Sequence, residues 1–300
     1  MEIVAIDLGS NTLRLLRYDC SKKQKVAEYE KIVRTAESLN KRGVISITAV
    51  ERIVSGLEEG RKELDFFTQK YFAVTTQALR IAKNAKEVLE TIYKKTGIKF
   101  NVIDGEQEAK LTLLAVQERL TQLGISGNLL LIDIGGGSTE ITFSINKKIY
   151  TKSFPLGIVT VANSANSIDE IELTVAQSMQ NIEEFSLPYL SQNLHFIATA
   201  GTPTTVAAMK LGLTYKTYDA NLINGTVLKY NELDFYLQKL LHMSKKEKEI
   251  TVGVGRDDLI IAGVVIFKEL YRIFNKQKAI IIDDGLREGV ALTTCNGFID

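Results

Sequence analysis

The sequence predicts an α/β protein built on a duplicated plan: two domains, each a mixed sheet flanked by helices, facing one another across a cleft. Three observations lead there. First, an apolar run ending in an acid, Ile3 to Asp7, enters a glycine turn and leaves it as a second apolar strand, Leu13 to Tyr18. Second, the pattern restarts at Leu129-Leu130-Leu131-Ile132-Asp133, turns through Gly135-Gly136-Gly137 and continues as Thr139 to Ile145. Third, strand-length apolar runs alternate with helical stripes after each turn, as in layered α/β domains, and 300 residues are enough for two cores.

Each further element has its own signal. Lys25 to Thr35 reads as a strand. Val50, Ile53, Val54 and Leu57 share one helical face, with Thr48 as the expected cap. Tyr71 to Thr75 is a strand, Ala85 to Lys95 a helix ending before Gly97, and Phe100 to Ile103 a strand. Ala109, Leu113, Val116 and Leu120 then mark a helix. In the second half Lys148 to Ser153 is a strand, 167–185 a helix and Leu194 to Ala198 a strand. Helices near 203–210, 231–243 and 259–274, a strand over Ala279 to Ile282 and a helix from Leu286 complete the chain. No Pro/Ser-rich linker intervenes, so the boundary is expected along a helix: domain I over 1–120, completed by 286–300, and domain II over 121–285.

Composition bounds the function. Hydrophobic residues make up 45% and charged residues 24%, which excludes a disordered chain. Basic and acidic side chains number 37 and 36, so nothing global advertises nucleic acid or a membrane surface; a polyanion needs a local site. No apolar stretch is long enough to span a bilayer, and the start, Met1-Glu2-Ile3-Val4, lacks the features of a signal peptide; a cytoplasmic location is expected. Cys20 and Cys295 are the only cysteines and His195 and His242 the only histidines, so no Cys/His zinc cluster can form and a disulfide framework is not expected. Any metal must be hard and oxygen-bound.

The two glycine turns carry the chemistry. The second leads into a strand, not into the helix of a dinucleotide or P-loop site, since Thr139 to Ile145 alternates polar and apolar. Unshielded N–H groups at Gly9 and at Gly135, Gly136 and Gly137 can converge on phosphate oxygens as an anion nest, with Ser10, Asn11, Ser138 and Thr139 adding side-chain donors. Asp7 and Asp133 beside those loops would repel phosphate unless a divalent cation lies between, and magnesium is the natural choice. One such turn alone is better read as a hairpin with a solvated Asp; two in register reverse that and point to a duplicated phosphate grip.

Asp104-Gly105-Glu106-Gln107-Glu108 starts a helix, where Asp104 and Gln107 can form a capping box and the acids complement the helix dipole. The functional reading keeps Glu108 ionised beside phosphate to take a proton from water. Arg80, between a strand and a helix, can clamp phosphate with its planar fork or be a solvated charge. Gly201 and Thr202 precede Pro203 at a helix start and can present N–H and hydroxyl donors to an anion, or simply cap the helix. Gly285 to Gly289 is read as a close packing contact.

Taken in order, AIDLGSNTLRL (5–15), TTQALRIAKN (75–84), DGEQEAKL (104–111), IDIGGGSTEI (132–141), FPLGIVT (154–160), ATAGTPTTVAAM (198–209), GRDDLIIAG (255–263) and DDGLREG (283–289) resemble the exopolyphosphatase/guanosine pentaphosphatase (Ppx/GppA) family. The resemblance implies two actin-like (ribonuclease H-like) domains with a magnesium-dependent site in the interdomain cleft. It also implies hydrolysis of the terminal phosphoanhydride of inorganic polyphosphate, of pppGpp, or of both. By the same resemblance Glu108 is the catalytic base, Asp133 and Glu140 assist metal and water, and Asp7 to Asn11 and Arg80 contact phosphate. The expected form is the short one, without the C-terminal helical domain of the long bacterial exopolyphosphatases; a homodimer is compatible with it. Thr160 stands where many members have a basic residue, and Asp283-Asp284 is more acidic than usual. An actin-like ATP-dependent kinase or chaperone, or a module that binds guanosine alarmones without turnover, would use the same two loops.

Overall fold

The strand order of the first half recurs in the second. The computed structural model describes residues 1–67, 69–165 and 167–297, apart from the side chain of Asn40. It divides into unit 1, Met1–Ala115 with Gly285–Asp300, and unit 2, Val116–Asp284. Residues 298–300 of the expected C-terminal segment lie outside the described residues.

The chain opens with β1 (Glu2–Leu8), β2 (Thr12–Asp19), β3 (Gln24–Ile32), α1 (Leu39–Arg42), α2 (Ile47–Glu63), β4 (Lys70–Thr75), α3 (Gln77–Ile81), α4 (Ala85–Thr96), β5 (Phe100–Val102) and α5 (Gly105–Gln122). It continues with β6 (Leu129–Ile134), β7 (Thr139–Ile145), β8 (Lys148–Phe154), α6 (Ile158–Ser164), α7 (Ile168–Ser186), β9 (His195–Thr199), α8 (Gly201–Lys210) and α9 (Ala220–Ile223). The last elements are β10 (Val227–Lys229), α10 (Tyr230–His242), α11 (Lys245–Val252), α12 (Ile260–Ile273), β11 (Lys278–Ile281) and α13 (Leu286–Cys295). Unit 1 orders its sheet β3-β2-β1-β4-β5 and unit 2 β10-β11-β9-β6-β7-β8. In both, two antiparallel pairings precede two parallel ones, so β1, β2, β3, β4 and β5 correspond to β6, β7, β8, β9 and β11. The short strand β10 is an addition to unit 2.

The pleat of the unit 1 strands explains how both sheet faces are covered. Ile3, Ala5, Leu16 and Tyr18 face α13, where they pack with Leu286, Val290 and Ala291. Helix α2 takes the opposite face through its glycines: a Cβ on Gly60 would lie 2.8 Å from Tyr29 and 2.9 Å from Leu15. Gly289 does the same for α13. A Cβ there would fall 2.0 Å from the carbonyl oxygen of Leu111, so α13 crosses α5 at backbone distance, the close packing expected of that glycine. In unit 2 one large core joins Ile132, Phe143 and Phe196 of the sheet to Met179 of α7 and Phe267 of α12.

Two expectations need correction. The cap of α2 is Ser46, whose hydroxyl accepts from the Ala49 N–H at 3.2 Å; Thr48 lies inside the first turn. The cysteines are disulfide-bonded, Cys20 to Cys295, because α13 returns to the end of β2 and brings their Cα atoms to 5.4 Å. Among the described residues no helix is long and apolar enough to cross a membrane.

One buried charge secures α13. Glu288 is 4% exposed and receives Lys25 Nζ at 2.8 Å, Arg287 Nε at 2.7 Å and the Gly285 N–H at 2.8 Å. Burial works against its charge, but Arg287 and Lys25 outweigh it and hold the carboxyl well below the usual range. A carboxylate depressed on folding contributes stability that is complete above the unfolded pKa, about 4.3, and is lost as pH falls toward the folded value. Glu288→Gln is expected to cost about 3 kcal/mol at neutral pH, since it removes the buried carboxylate that Lys25 and Arg287 share and leaves Arg287 its pair with Glu28. Its urea midpoint should also fall less steeply than wild type below about pH 5. Parallel pH profiles for the two proteins would refute the assignment.

Candidate functional site

In unit 1 the parallel strands β1, β4 and β5 release the chain at one edge. From that edge leave the Gly9 turn, the helix carrying Arg80 and the helix carrying Glu108. Ligands of α/β sheets characteristically bind at the carboxyl ends of such strands. The Thr75 hydroxyl donates to the Leu8 carbonyl at 2.8 Å and the Ile103 N–H to the Thr75 carbonyl at 3.0 Å, holding the three exits together.

The first turn differs from expectation in its glycine. The Gly9 N–H donates to the Thr12 carbonyl at 2.9 Å, closing the turn, so Gly9 is no phosphate donor. Its neighbours are oriented from behind: the Asn11 carbonyl accepts from the Val33 and Arg34 N–H groups and the Ser10 carbonyl from Ala36, each at 2.9 Å. A planar trans peptide points the following N–H the opposite way, so Asn11 and Thr12 turn theirs away from that backing segment. Ser10 and Asn11 are 4% and 6% exposed, and Asn11 Oδ1 is a buried acceptor without a hydrogen bond. Asp7 faces Arg14 across the β1–β2 ladder, with Arg14 Nη1 3.9 Å from Asp7 Oδ2 and Nε 2.8 Å from Glu30. Burial disfavours the Arg14 charge, yet Glu30 and Asp7 outweigh it and make the guanidinium harder to deprotonate.

Arg80 and Glu108 meet. Arg80 Nη1 donates to the Ile103 carbonyl at 2.7 Å and to Glu108 Oε2 at 3.0 Å, with side chains 19% and 12% exposed. Arg80 is therefore neither solvated nor wholly given to a ligand; it fixes the carboxylate. The capping box also exists, with the Gln107 N–H on Asp104 Oδ1 at 2.8 Å and the Asp104 N–H on Gln107 Oε1 at 3.0 Å. Cap and dipole thus hold the first turn of α5 and leave Glu108 to Arg80.

Unit 2 repeats the turn more fully. The Gly135 N–H closes it on the Ser138 carbonyl at 2.9 Å and, like Gly9, is spent. The carbonyls of Gly135 and Gly136 accept from the Ile158 and Val159 N–H groups at 3.1 and 2.8 Å, and that of Gly137 from the Thr160 hydroxyl at 3.2 Å. By peptide planarity Gly136, Gly137 and Ser138 turn three consecutive N–H groups away from α6, the concave nest that suits a phosphate. This is what the FPLGIVT segment does, and why a threonine serves at 160.

The side chains expected to add donors are used inside. The Ser138 hydroxyl donates to Glu140 Oε1 at 2.7 Å and the Thr139 hydroxyl to the Leu156 carbonyl at 2.5 Å, so Thr139 anchors the strand and does not reach a ligand. Glu140, 2% exposed, also receives the Ser153 hydroxyl at 2.6 Å. It pairs in register with Asp133, which lies between it and Thr199 of β9. The residue that sequence reasoning passed over is Arg14: it occupies in the first turn the register position Glu140 holds in the second, a correspondence visible in the equal spacing from Asp7 and from Asp133.

Gly201 and Thr202 begin α8, behind Ala200 at φ +73°, a conformation that costs a side chain about 1–3 kcal/mol. Thr202 is 1% exposed and its hydroxyl has no hydrogen bond; a Cβ on Gly263 of α12 would come within 2.1 Å of it. That hydroxyl belongs to a helix contact, which leaves only backbone N–H groups to offer an anion. The extra acid Asp284 is likewise internal, gripped by Arg119 at 2.6 and 3.3 Å.

Among the described residues no three His, Cys, Asp or Glu side chains gather as a metal site. Magnesium does not need three, because it usually keeps waters and takes one or two carboxylates plus substrate phosphates. Asp133 and Glu140, hard oxygen donors side by side on neighbouring strands, fit that requirement. Asp7, already in the field of Arg14, fits it less well.

A model of the Ppx/GppA phosphatase family matches residues 17–296. The chain is 27% identical to the bifunctional 3-dehydroquinate synthase/phosphatase of Fusobacterium nucleatum, over 96% of this chain and 46% of that protein, so it spans about half of that relative. It is 25% identical to exopolyphosphatase 1 of Mycobacterium tuberculosis, over 97% of this chain and 88% of that one. Among solved structures the Aquifex aeolicus Ppx/GppA enzyme superimposes with TM-score 0.77 at 30% identity, covering 98% of this chain and 99% of that one. An exopolyphosphatase-like protein gives TM-score 0.89 at 22% identity over 100% and 99% of the two chains, a likeness of fold. These neighbours bear out the actin-like architecture.

Proposed function

We propose, because this chain belongs to the Ppx/GppA phosphatase family, that it releases orthophosphate from the end of inorganic polyphosphate, of pppGpp, or of both. One observation carries the reading: Glu108, at the carboxyl edge of the unit 1 sheet, is held by an arginine that is itself anchored on the backbone. A module that only binds phosphate needs the turns alone; a hydrolase also needs a group to take a proton from water. Glu108 takes that proton as the water oxygen bonds to the terminal phosphorus and the bridging P–O bond breaks, leaving a chain shorter by one phosphate. Arg80 is a positioning residue for this step. Phosphate oxygens are the ligands of the Asn11 N–H in unit 1 and of the N–H groups of Gly136, Gly137 and Ser138 in unit 2; holding charge as it shifts between such oxygens is how phosphoryl transfer is mostly accelerated. Magnesium, held by Asp133 and Glu140, would neutralise phosphate charge. A cytoplasmic setting belongs to the same reading.

The test compares phosphate release from short polyphosphate, long polyphosphate and pppGpp at equal terminal-phosphate concentration, with magnesium and with a chelator. Release from at least one substrate, lost with the chelator, is expected. Tight ATP binding by calorimetry, with no release from any of the three, would transfer the assignment to the kinase or chaperone class.

A further inference from the structure

We infer that the Cys20–Cys295 disulfide is a redox-controlled fastening for the C-terminal helix of unit 1. Helix α13 is held at its start by Glu288 and along its length by Leu286, Val290 and Ala291. Its last residue is Cys295, where the disulfide adds a covalent tie to the packing of Leu292 and the burial of Thr294. The receiving position is rigid: the Cys20 N–H donates to the Met1 carbonyl at 3.0 Å. The turn beyond is closed by Asp19 Oδ1, which accepts from the N–H groups of Ser21 and Lys22 at 2.9 and 3.3 Å. Both cysteines pack beside the core of unit 1 and are half-buried, not sealed within it.

The link joins residues 275 positions apart, so it constrains nearly the whole unfolded chain, where loop-closure entropy makes a cross-link most effective. In a reducing compartment such a bond is seldom permanent, which makes it a sensor of redox state. Reduction by a dithiol is balanced: two electrons and two protons convert the disulfide to two thiols while the dithiol becomes its cyclic disulfide. Re-formation requires a small-molecule disulfide as oxidant. The proposal rests on the cytoplasmic setting of the reading above but not on the substrate assigned there.

The full chain, purified without reductant and then equilibrated with oxidised glutathione, is expected to show no free thiol when titrated in denaturant. Treatment with dithiothreitol should expose both cysteines, lower Tm by about 5–10 °C and speed proteolysis of the C-terminal helix. Cys20→Ser and Cys295→Ser should match the reduced wild type and ignore reductant. The reduced wild type keeps every side chain, so it reads the cross-link even if a variant folds poorly. Two thiols that persist after oxidised glutathione, or a Tm that reduction moves by less than about 2 °C, would overturn the inference.

Discussion

Glu108→Gln is expected to lower the rate of phosphate release at saturating substrate and magnesium by about 10²–10⁴-fold, the usual contribution of a positioned general base. The substitution is nearly isosteric, and its structural cost should be small. Arg80 keeps its bond to the Ile103 carbonyl and can still donate to the amide oxygen, while the Asp104–Gln107 box that starts α5 is untouched. The loss should therefore fall on kcat with KM little changed, because the carboxylate is asked to act only as water loses its proton. Tm within a few degrees of wild type would confirm that fold is not the cause. Release within a few-fold of wild type would remove Glu108 as the base, and with it the feature that separates a hydrolase from a module that only grips phosphate.

Gly157→Ala should be nearly as damaging, for a different reason. Gly157 has φ −126° and ψ 162°, extended backbone that any residue adopts, so glycine is not there for conformational freedom. It is there for space. A Cβ would stand 2.3 Å from Gly137 C and 2.4 Å from Gly136 O, inside the backbone of the turn whose N–H groups form the nest. Neither side can yield alone: Ile158 and Val159 bond the turn carbonyls, and Leu156 receives Thr139. Overpacking of this kind costs about 1–3 kcal/mol of stability. Displacing the donors by about 1 Å costs on the order of 10²-fold in activity, well beyond the stability effect. A folded variant with kcat/KM within threefold of wild type would show that the turn does not grip the substrate.

The two predictions sit at opposite ends of what could be read in advance. Glu108 was legible as a candidate because its signals are local: an acid one turn into a helix, after a strand, with a capping box in front. Its partner was not. Arg80 and Glu108 are 28 positions apart and meet because β4 and β5 lie side by side and send their helices from the same edge, a fact of sheet order and not of spacing. Gly157 carried even less signal, since a glycine needed for close approach looks like any other until the neighbouring backbone is in place. Short elements escaped too. Three residues of β10, Val227–Lys229, are too few for an alternation to register, and it is pairing with β11 that makes them a strand.

The duplicated glycine turns are written in the sequence, because each is closed by its own residues: the N–H of Gly9 on Thr12, and that of Gly135 on Ser138. A pattern set by contacts within four residues survives in the linear text. Tertiary structure decided which groups in those turns remain available to a ligand. The glycines that drew attention first have spent their N–H groups on closing the turn, Thr139 has spent its hydroxyl on Leu156, and the outward N–H groups of Gly136, Gly137 and Ser138 exist because α6 takes the carbonyls behind them. A peptide plane presents its donor to one side only when something distant in sequence holds its acceptor on the other.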